Sequence, residues 1–263
     1  MATLSAEQQI EFFRSIPWCA AHLSSPSLVI RESVSHRRKR GHLDSLISQT
    51  LNRPDALPAY ITFYHVPPAS SPSPPATAES APSSHAPPPP QQQNQQRQQE
   101  QQQEQEQPRT AEPAPAPAPA PAPEPPAPAT GAEAAAGPLI TEVRALVALG
   151  PMLNGWEGVC HGGMVVTLLD EVMGQVFAAN RAHGRLPPDA PATMTAYLNT
   201  RFERPVRTGA SPPAAAAAAV VLVSARLRRR DRRKFWLDAD VTGPAGEVLA
   251  RAEAMFIMLR SKL

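Results

Sequence analysis

The chain has 263 residues, 42% of them hydrophobic, with 33 prolines, two cysteines and a formal net charge of +2. Two cysteines exclude a disulfide framework and a cysteine-rich metal site and fit a reducing compartment. No apolar run reaches membrane-spanning length, and the first residues show no basic-then-apolar export pattern.

The elements are taken in chain order. Ser5–Gln8 (SAEQ) is a capping box ahead of the apolar-rich IEFFRSI, so a helix is expected from residue 5 to about 15, ended by Pro17. RESVSHRRKRGH is expected as a polar, basic loop that includes His36, Arg37, Arg38 and Lys39. Asp44–Leu51 is expected as a short helix, and AYITFYHV (Ala59–Val66), β-branched and aromatic, as a strand. Residues 67–137 then hold 20 of the 33 prolines, the run Gln91–Gln107 and the Pro-Ala repeat Pro113–Pro123. Such a stretch buries too little apolar surface to offset chain entropy, so a disordered insertion is expected. It carries seven Glu and two Arg, which leaves +7 on the rest of the chain. That excess suits anionic partners, or equally plain solubility.

Beyond the insertion, LITEVRALVAL (Leu139–Leu149) fits helix or strand and is read as a strand. Gly155, Gly158, Gly162 and Gly163 mark an irregular loop. From Gly163 to about Ala179 the residues form helices well and are apolar around most of the circumference, so a helix buried on nearly all sides is expected. Pro191–Phe202, AAVVLVSARLRRR, KFWLDADVTG and EVLARAEAMFIML read as strands, with RRRDRRK and GPAG as hairpin turns. Phe235, Leu237, Ala239 and Val241 share one face, as do Val248, Ala250, Ala252, Ala254, Phe256 and Met258. The order β-β-α-β-β-β-β, with one apolar helix, demands a sheet that wraps it, an α+β architecture. The chain divides into an N-terminal segment (residues 1–66) with helices and the first strand, the insertion (67–137), a main domain (138–260) and a tail (261–263). Ser261, Lys262 and Leu263 match the tripeptide read by the peroxisomal import receptor, so peroxisomal localisation through that receptor is expected.

The stretch NGWEGVCHGGMVVTLLDEVMG, followed by MTAYLNTRFERPV (Met194–Val206), resembles the PaaI-like acyl-CoA thioesterases of the 4-hydroxybenzoyl-CoA thioesterase superfamily. FFRSIPWCAAHL and DSLISQTLN resemble fungal members. The resemblance covers nearly everything outside the insertion. It implies the hotdog fold, an antiparallel sheet wrapped around one long central helix, here with an N-terminal helical extension. It implies hydrolysis of acyl-CoA to free acid and coenzyme A, in a homodimer or dimer of dimers, with no cofactor, no metal and no nucleic acid. Asp170 matches the family's catalytic acid. The N–H groups of Gly162 and Gly163 match its oxyanion donors. Thr195 matches a supporting hydroxyl. Asn154 resembles a loop asparagine, set further back from His161 than is usual in relatives.

The residue types suit that chemistry. Thioester hydrolysis needs an activated water or a carboxylate nucleophile, and donors for the developing oxyanion. Asp170 is expected to be poorly solvated inside its apolar helix. A helix N-terminus offers free N–H groups, and glycine permits close approach. His161 reads as a hydrogen-bonding fixture of the loop rather than a base. Adjacent side chains diverge, so Cys160 and His161 make no Cys–His pair. Glu171 lies about 100° around the helix from Asp170, which suits a structural role. Arg226–Lys234 (RLRRRDRRK) could hold coenzyme A phosphates or form a solvated hairpin; both stay open. So do two other functions, a non-catalytic acyl-CoA-binding hotdog and a thioesterase of secondary metabolism. The hotdog enoyl-CoA hydratases carry an Asp-x-Asn-x-x-His pattern that this sequence lacks.

Overall fold

The capping box at the start of the chain forms as expected. The Ser5 hydroxyl accepts from the Gln8 N–H, the Gln8 side chain accepts from the Ser5 N–H, and helix α1 runs over Ala6–Arg14. The computed structural model describes residues 4–33, 44–68, 137–187, 190–209 and 220–260. These all belong to one unit of the chain, built from 1–70 and 128–263. Residues 69–136, His36–Lys39 and the Ser261-Lys262-Leu263 tail lie outside the described residues.

Two expectations for the N-terminal segment are corrected. Pro17 does not merely end α1; it occupies the first turn of a second helix, α2 (Pro17–His22). Its missing N–H costs nothing there, because that donor would be unpaired in any case. Arg31 and Glu32, expected in a loop, sit in strand β1 (Leu28–Glu32). Asp44–Leu51 contains one turn of π-helix, Leu46–Leu51.

The remaining strands are β2 (Tyr60–His65), β3 (Glu142–Ala148), the small hairpin β4 (Asn154–Trp156) and β5 (Val159–Cys160), β6 (Thr193–Phe202), β7 (Val220–Asp231), β8 (Lys234–Thr242) and β9 (Val248–Met258). Seven of them make one antiparallel sheet in the order β1-β2-β3-β7-β8-β9-β6. Helix α3 (Gly162–Ala182) packs on one face of it. The RRRDRRK segment is mostly strand, with only Arg232 and Arg233 forming the turn.

The alternation in β8 and β9 is realised. Phe235, Leu237, Ala239, Val241, Ala250, Ala252, Ala254 and Phe256 are buried, but the expectation fails at the two ends of β9: Val248 and Met258 are only half-buried, and Leu249 is buried next to the register shift at Val241/Thr242. The Phe177 ring of α3 meets Phe235 and Phe256 with centroids 5.1 and 5.3 Å apart. A second core lies on the opposite face of the sheet. There Phe13, Ile16, Cys19 and Leu23 from α1 and α2 cover Ile61 and Phe63 of β2, Leu146 and Ala148 of β3, and Val220 and Leu222 of β7. These strands are therefore buried on both faces, which removes their polar-apolar alternation. The buried Gln9 fastens the outer layer: its Oε1 accepts from the Tyr60 N–H at 2.9 Å and its Nε2 donates to Glu32 Oε1 at 3.0 Å.

Two readings of α3 change. At 21 residues it is long and apolar enough to span a membrane, contrary to the expectation that no segment is. Its apolar face is packed against the sheet, as expected of a core helix. Nor is it buried on nearly all sides. Thr167, Asp170, Glu171, Gly174 and Ala178 are half-buried, and a Cβ built on Gly174 would meet nothing within 4 Å. One stripe of the helix stays open.

Candidate active site

The open stripe lies beside β6, and there the fold brings two expected residues together. Asp170 projects from the middle of α3, and the Thr195 hydroxyl of β6 donates to its Oδ1 at 2.7 Å. A charge-assisted bond of that length fixes one carboxylate oxygen and leaves the other free. Asp170 is half-buried and Thr195 exposed, so the carboxylate opens toward solvent rather than sitting among apolar side chains as expected. Glu171 points elsewhere: its charge reaches the buried Tyr60 phenol on β2, where burial first and then Glu171 push the phenol's pKa up.

The helix N-terminus forms a second group. His161 is the N-cap of α3, and its Nδ1 accepts from the Gly163 N–H at 3.0 Å. The Met164 N–H bonds the His161 carbonyl at 2.9 Å. The Gly163 amide, expected as a free oxyanion donor, is thus occupied by the histidine cap. The Gly162 N–H makes no hydrogen bond among the described residues. The exposed ring of Phe202 lies beside it, 3.4 Å from where a Gly162 Cβ would be. Gly155 lets the loop close: a Cβ there would stand 2.9 Å from the His161 Cα.

Asn154 joins neither group. On β4 it accepts from the Thr208 hydroxyl, which ties the loop to the segment after β6. The Cys160 N–H donates to the Val206 carbonyl at 2.8 Å and reinforces the same tie. Cys160 is buried, and burial pushes its thiol up to about 12, so it stays protonated and unreactive. Within one chain, then, the structure pairs Asp170 with Thr195 and His161 with Gly163, and keeps the pairs apart. Gly162 and Asp170 are roughly 12 Å apart along the helix axis at the α-helical rise.

The Arg-rich hairpin divides as well. Arg226 pairs with Asp240 and Glu142, and Arg228 with Asp238. Arg229 stacks on Trp236 with its guanidinium carbon 3.8 Å from the ring centroid. Composition alone does not indicate that stacking, although the register that places Trp236 opposite Arg229 follows from the hairpin. Sequence reasoning also misses the apolar residues left exposed along β6, Met194, Tyr197 and Phe202, all at least 40% accessible. Their signal is present, since they alternate poorly for a strand with one buried face.

No family model matches the chain, and no curated protein matches it in sequence. Solved structures do. A thioesterase superfamily protein is 29% identical, over 44% of this chain and 48% of its own, with a TM-score of 0.35. A Bacillus halodurans protein solved with CoA is 27% identical, over 46% and 68%, with a TM-score of 0.35. The E. coli PaaI protein from the phenylacetic acid degradation operon is 14% identical, over 46% and 75%, with a TM-score of 0.36. The fold is a hotdog. That assignment rests on the strand order and on the long helix α3 that the sheet packs against. The chain spans about half the length of the first of these structures.

Proposed function

We propose that the chain hydrolyses acyl-CoA thioesters to free acid and coenzyme A, as a two-fold dimer. The observation that carries this reading is the Asp170 carboxylate, held by Thr195 on the face of α3 that its own subunit leaves open. In this mechanism Asp170 takes a proton from a water whose oxygen attacks the thioester carbon, the carbonyl oxygen becoming an oxyanion. Amide N–H groups at a helix N-terminus stabilise that charge. Collapse of the intermediate breaks the carbon–sulfur bond, and the thiolate of coenzyme A takes up the proton. Gly162 is the donor already free; Gly163 joins it only if the His161 ring turns away.

One helix cannot offer both ends of this machinery to a single carbon, given the roughly 12 Å between them. Two antiparallel copies of α3 about a two-fold axis can. Strand β6 supports the second copy: it is a sheet edge, and it exposes Met194, Tyr197 and Phe202. Edges and apolar patches of that kind are ordinarily covered. The positive excess outside the insertion suits the phosphates of coenzyme A.

The test is complementation. Asp170→Asn removes the base, and Gly162→Pro removes the free N–H at a helix position that tolerates proline. Each homodimer should be inactive in an acyl-CoA assay that detects the released thiol. A purified mixed dimer contains one intact site and should recover up to about half of the wild-type rate, by symmetry. Verified mixed dimers that stay inactive, with both variants folded, would refute the shared site. The occupied Gly163 amide favours a second reading, a hotdog that binds acyl-CoA without turnover. Saturable binding with no thiol release from the wild-type protein would decide for that reading.

A further inference from the structure

Polar groups also gather at the far end of α3. Arg31 comes from β1, Tyr64 from β2, and His183 is the C-cap of the helix. Arg31 Nη2 lies 3.4 Å from His183 Nε2, and the Tyr64 hydroxyl lies 3.2 Å from the same nitrogen. The Tyr64 and His183 rings stand edge to face at 5.7 Å, and the Arg31 guanidinium carbon sits 5.2 Å from the Tyr64 ring centroid. Arg185 follows in the next turn and donates to the Pro67 carbonyl at 2.9 Å. Burial, then the charges of Arg31 and Arg185, hold the His183 imidazole below its usual pKa.

This cluster has too many donors for its acceptors. A guanidinium alone carries five N–H donors. Against them stand one imidazole nitrogen and one phenol oxygen. Neither Arg31 nor His183 forms an ion pair with a carboxylate among the described residues. The C-terminus of α3 supplies partial negative charge, about half an elementary charge, which draws cations toward it but cannot neutralise the Arg31 guanidinium. Tyr64 is buried, but Arg31 and His183 are half-buried, so a solute can reach the edge of the cluster. Donors that converge from three separate elements suit a tetrahedral oxyanion; a planar carboxylate would be satisfied by the guanidinium fork alone.

We propose that Arg31, Tyr64 and His183 form a binding site for a phosphate group, separate from the Asp170 site. It lies roughly 20 Å from Asp170 along the helix axis. The site does not depend on thioester hydrolysis and would stand if that reading failed. Bound phosphate accepts from Arg31 and Tyr64 and from His183 in its protonated form, so binding raises the imidazole pKa.

Inorganic phosphate is titrated into the full-length protein while the His183 imidazole signals, assigned by His183→Gln, are followed by nuclear magnetic resonance. The expected result is a saturable shift in the millimolar range, with at least tenfold weaker binding in Arg31→Gln. Calorimetry on His183→Gln should show the same loss, and unchanged melting temperatures exclude misfolding. A linear, non-saturating response in the wild-type protein, or saturable binding retained in both variants, overturns the proposal. Two further arms identify the source of the phosphate. Competition between phosphate and CoA, with Arg31→Gln weakening CoA more than dephospho-CoA, assigns the group to the CoA 3′-phosphate. Phosphate binding that CoA does not displace assigns it to a separate phosphorylated ligand.

Discussion

Thr195→Val isolates what the 2.7 Å bond to Asp170 contributes. Valine keeps the shape and β-propensity of threonine on β6 and removes only the hydroxyl. A hydrogen bond to a charged group contributes about 1.5–3 kcal/mol. The open, half-exposed setting of this one favours the lower end, about 1.5 kcal/mol. If that energy holds the carboxylate in its working orientation, turnover falls about tenfold, with KM little changed. Thr195→Ser, which restores the hydroxyl, should recover most of the loss. Asp170→Asn should cost on the order of a hundredfold or more, because it removes the proposed proton acceptor. The assay is thiol release from a panel of acyl-CoAs, with thermal melts to show that each variant is folded. Two results would refute the reasoning: Asp170→Asn turning over within a few-fold of the wild type, or Thr195→Val and Thr195→Ser losing activity equally.

Three further outcomes follow from the packing. Phe177→Ala empties the aromatic cluster with Phe235 and Phe256 and should destabilise by about 3–5 kcal/mol in urea unfolding. Gly155→Ala places a methyl 2.9 Å from the His161 Cα, so it should displace the cap of α3 and lower both melting temperature and turnover. Arg232 holds φ 51° in the β7–β8 turn, and Arg232→Gly should raise stability by up to about 1 kcal/mol, measured as a higher urea midpoint.

The sequence is most legible where one physical signal dominates. In β8 and β9 the period-two pattern survives because only one face of each strand is buried; it slips at the ends of β9, where Val248 and Met258 are half-buried and Leu249 is buried beside a register shift. Leu139–Leu149 fits both helix and strand for the opposite reason. Strand β3 is covered by α3 on one side and by α1 and α2 on the other, so alternation is absent from its sequence. Strand β1 escapes notice because it is five residues long, half-buried throughout and flanked by serines and charges. Pro17 is a true boundary, but it opens α2 as well as closing α1, and a breaker residue by itself signals only the closing.

The candidate site shows a different limit. The pairing of Asp170 with Thr195 depends on how β6 aligns with α3, and the resemblance carries that alignment where periodicity cannot. The capture of the Gly163 amide by His161 turns on one imidazole orientation, which no spacing encodes. The open stripe is hidden in the sequence because Thr167, Gly174 and Ala178 do not interrupt an apolar helical pattern, yet they are too small to need covering by their own sheet. Small residues on a helix face are also what lets a second backbone come close. The feature that makes α3 look buried all round is therefore the one that leaves room beside Asp170 for a second helix. The face is unfinished in one chain, and β6 ends the sheet on that same side with its apolar side chains exposed. A single chain thus carries a positioned carboxylate and a helix-terminal amide roughly 12 Å apart along one helix, and it is this separation, together with the exposed sheet edge, that the proposed two-fold partner would resolve.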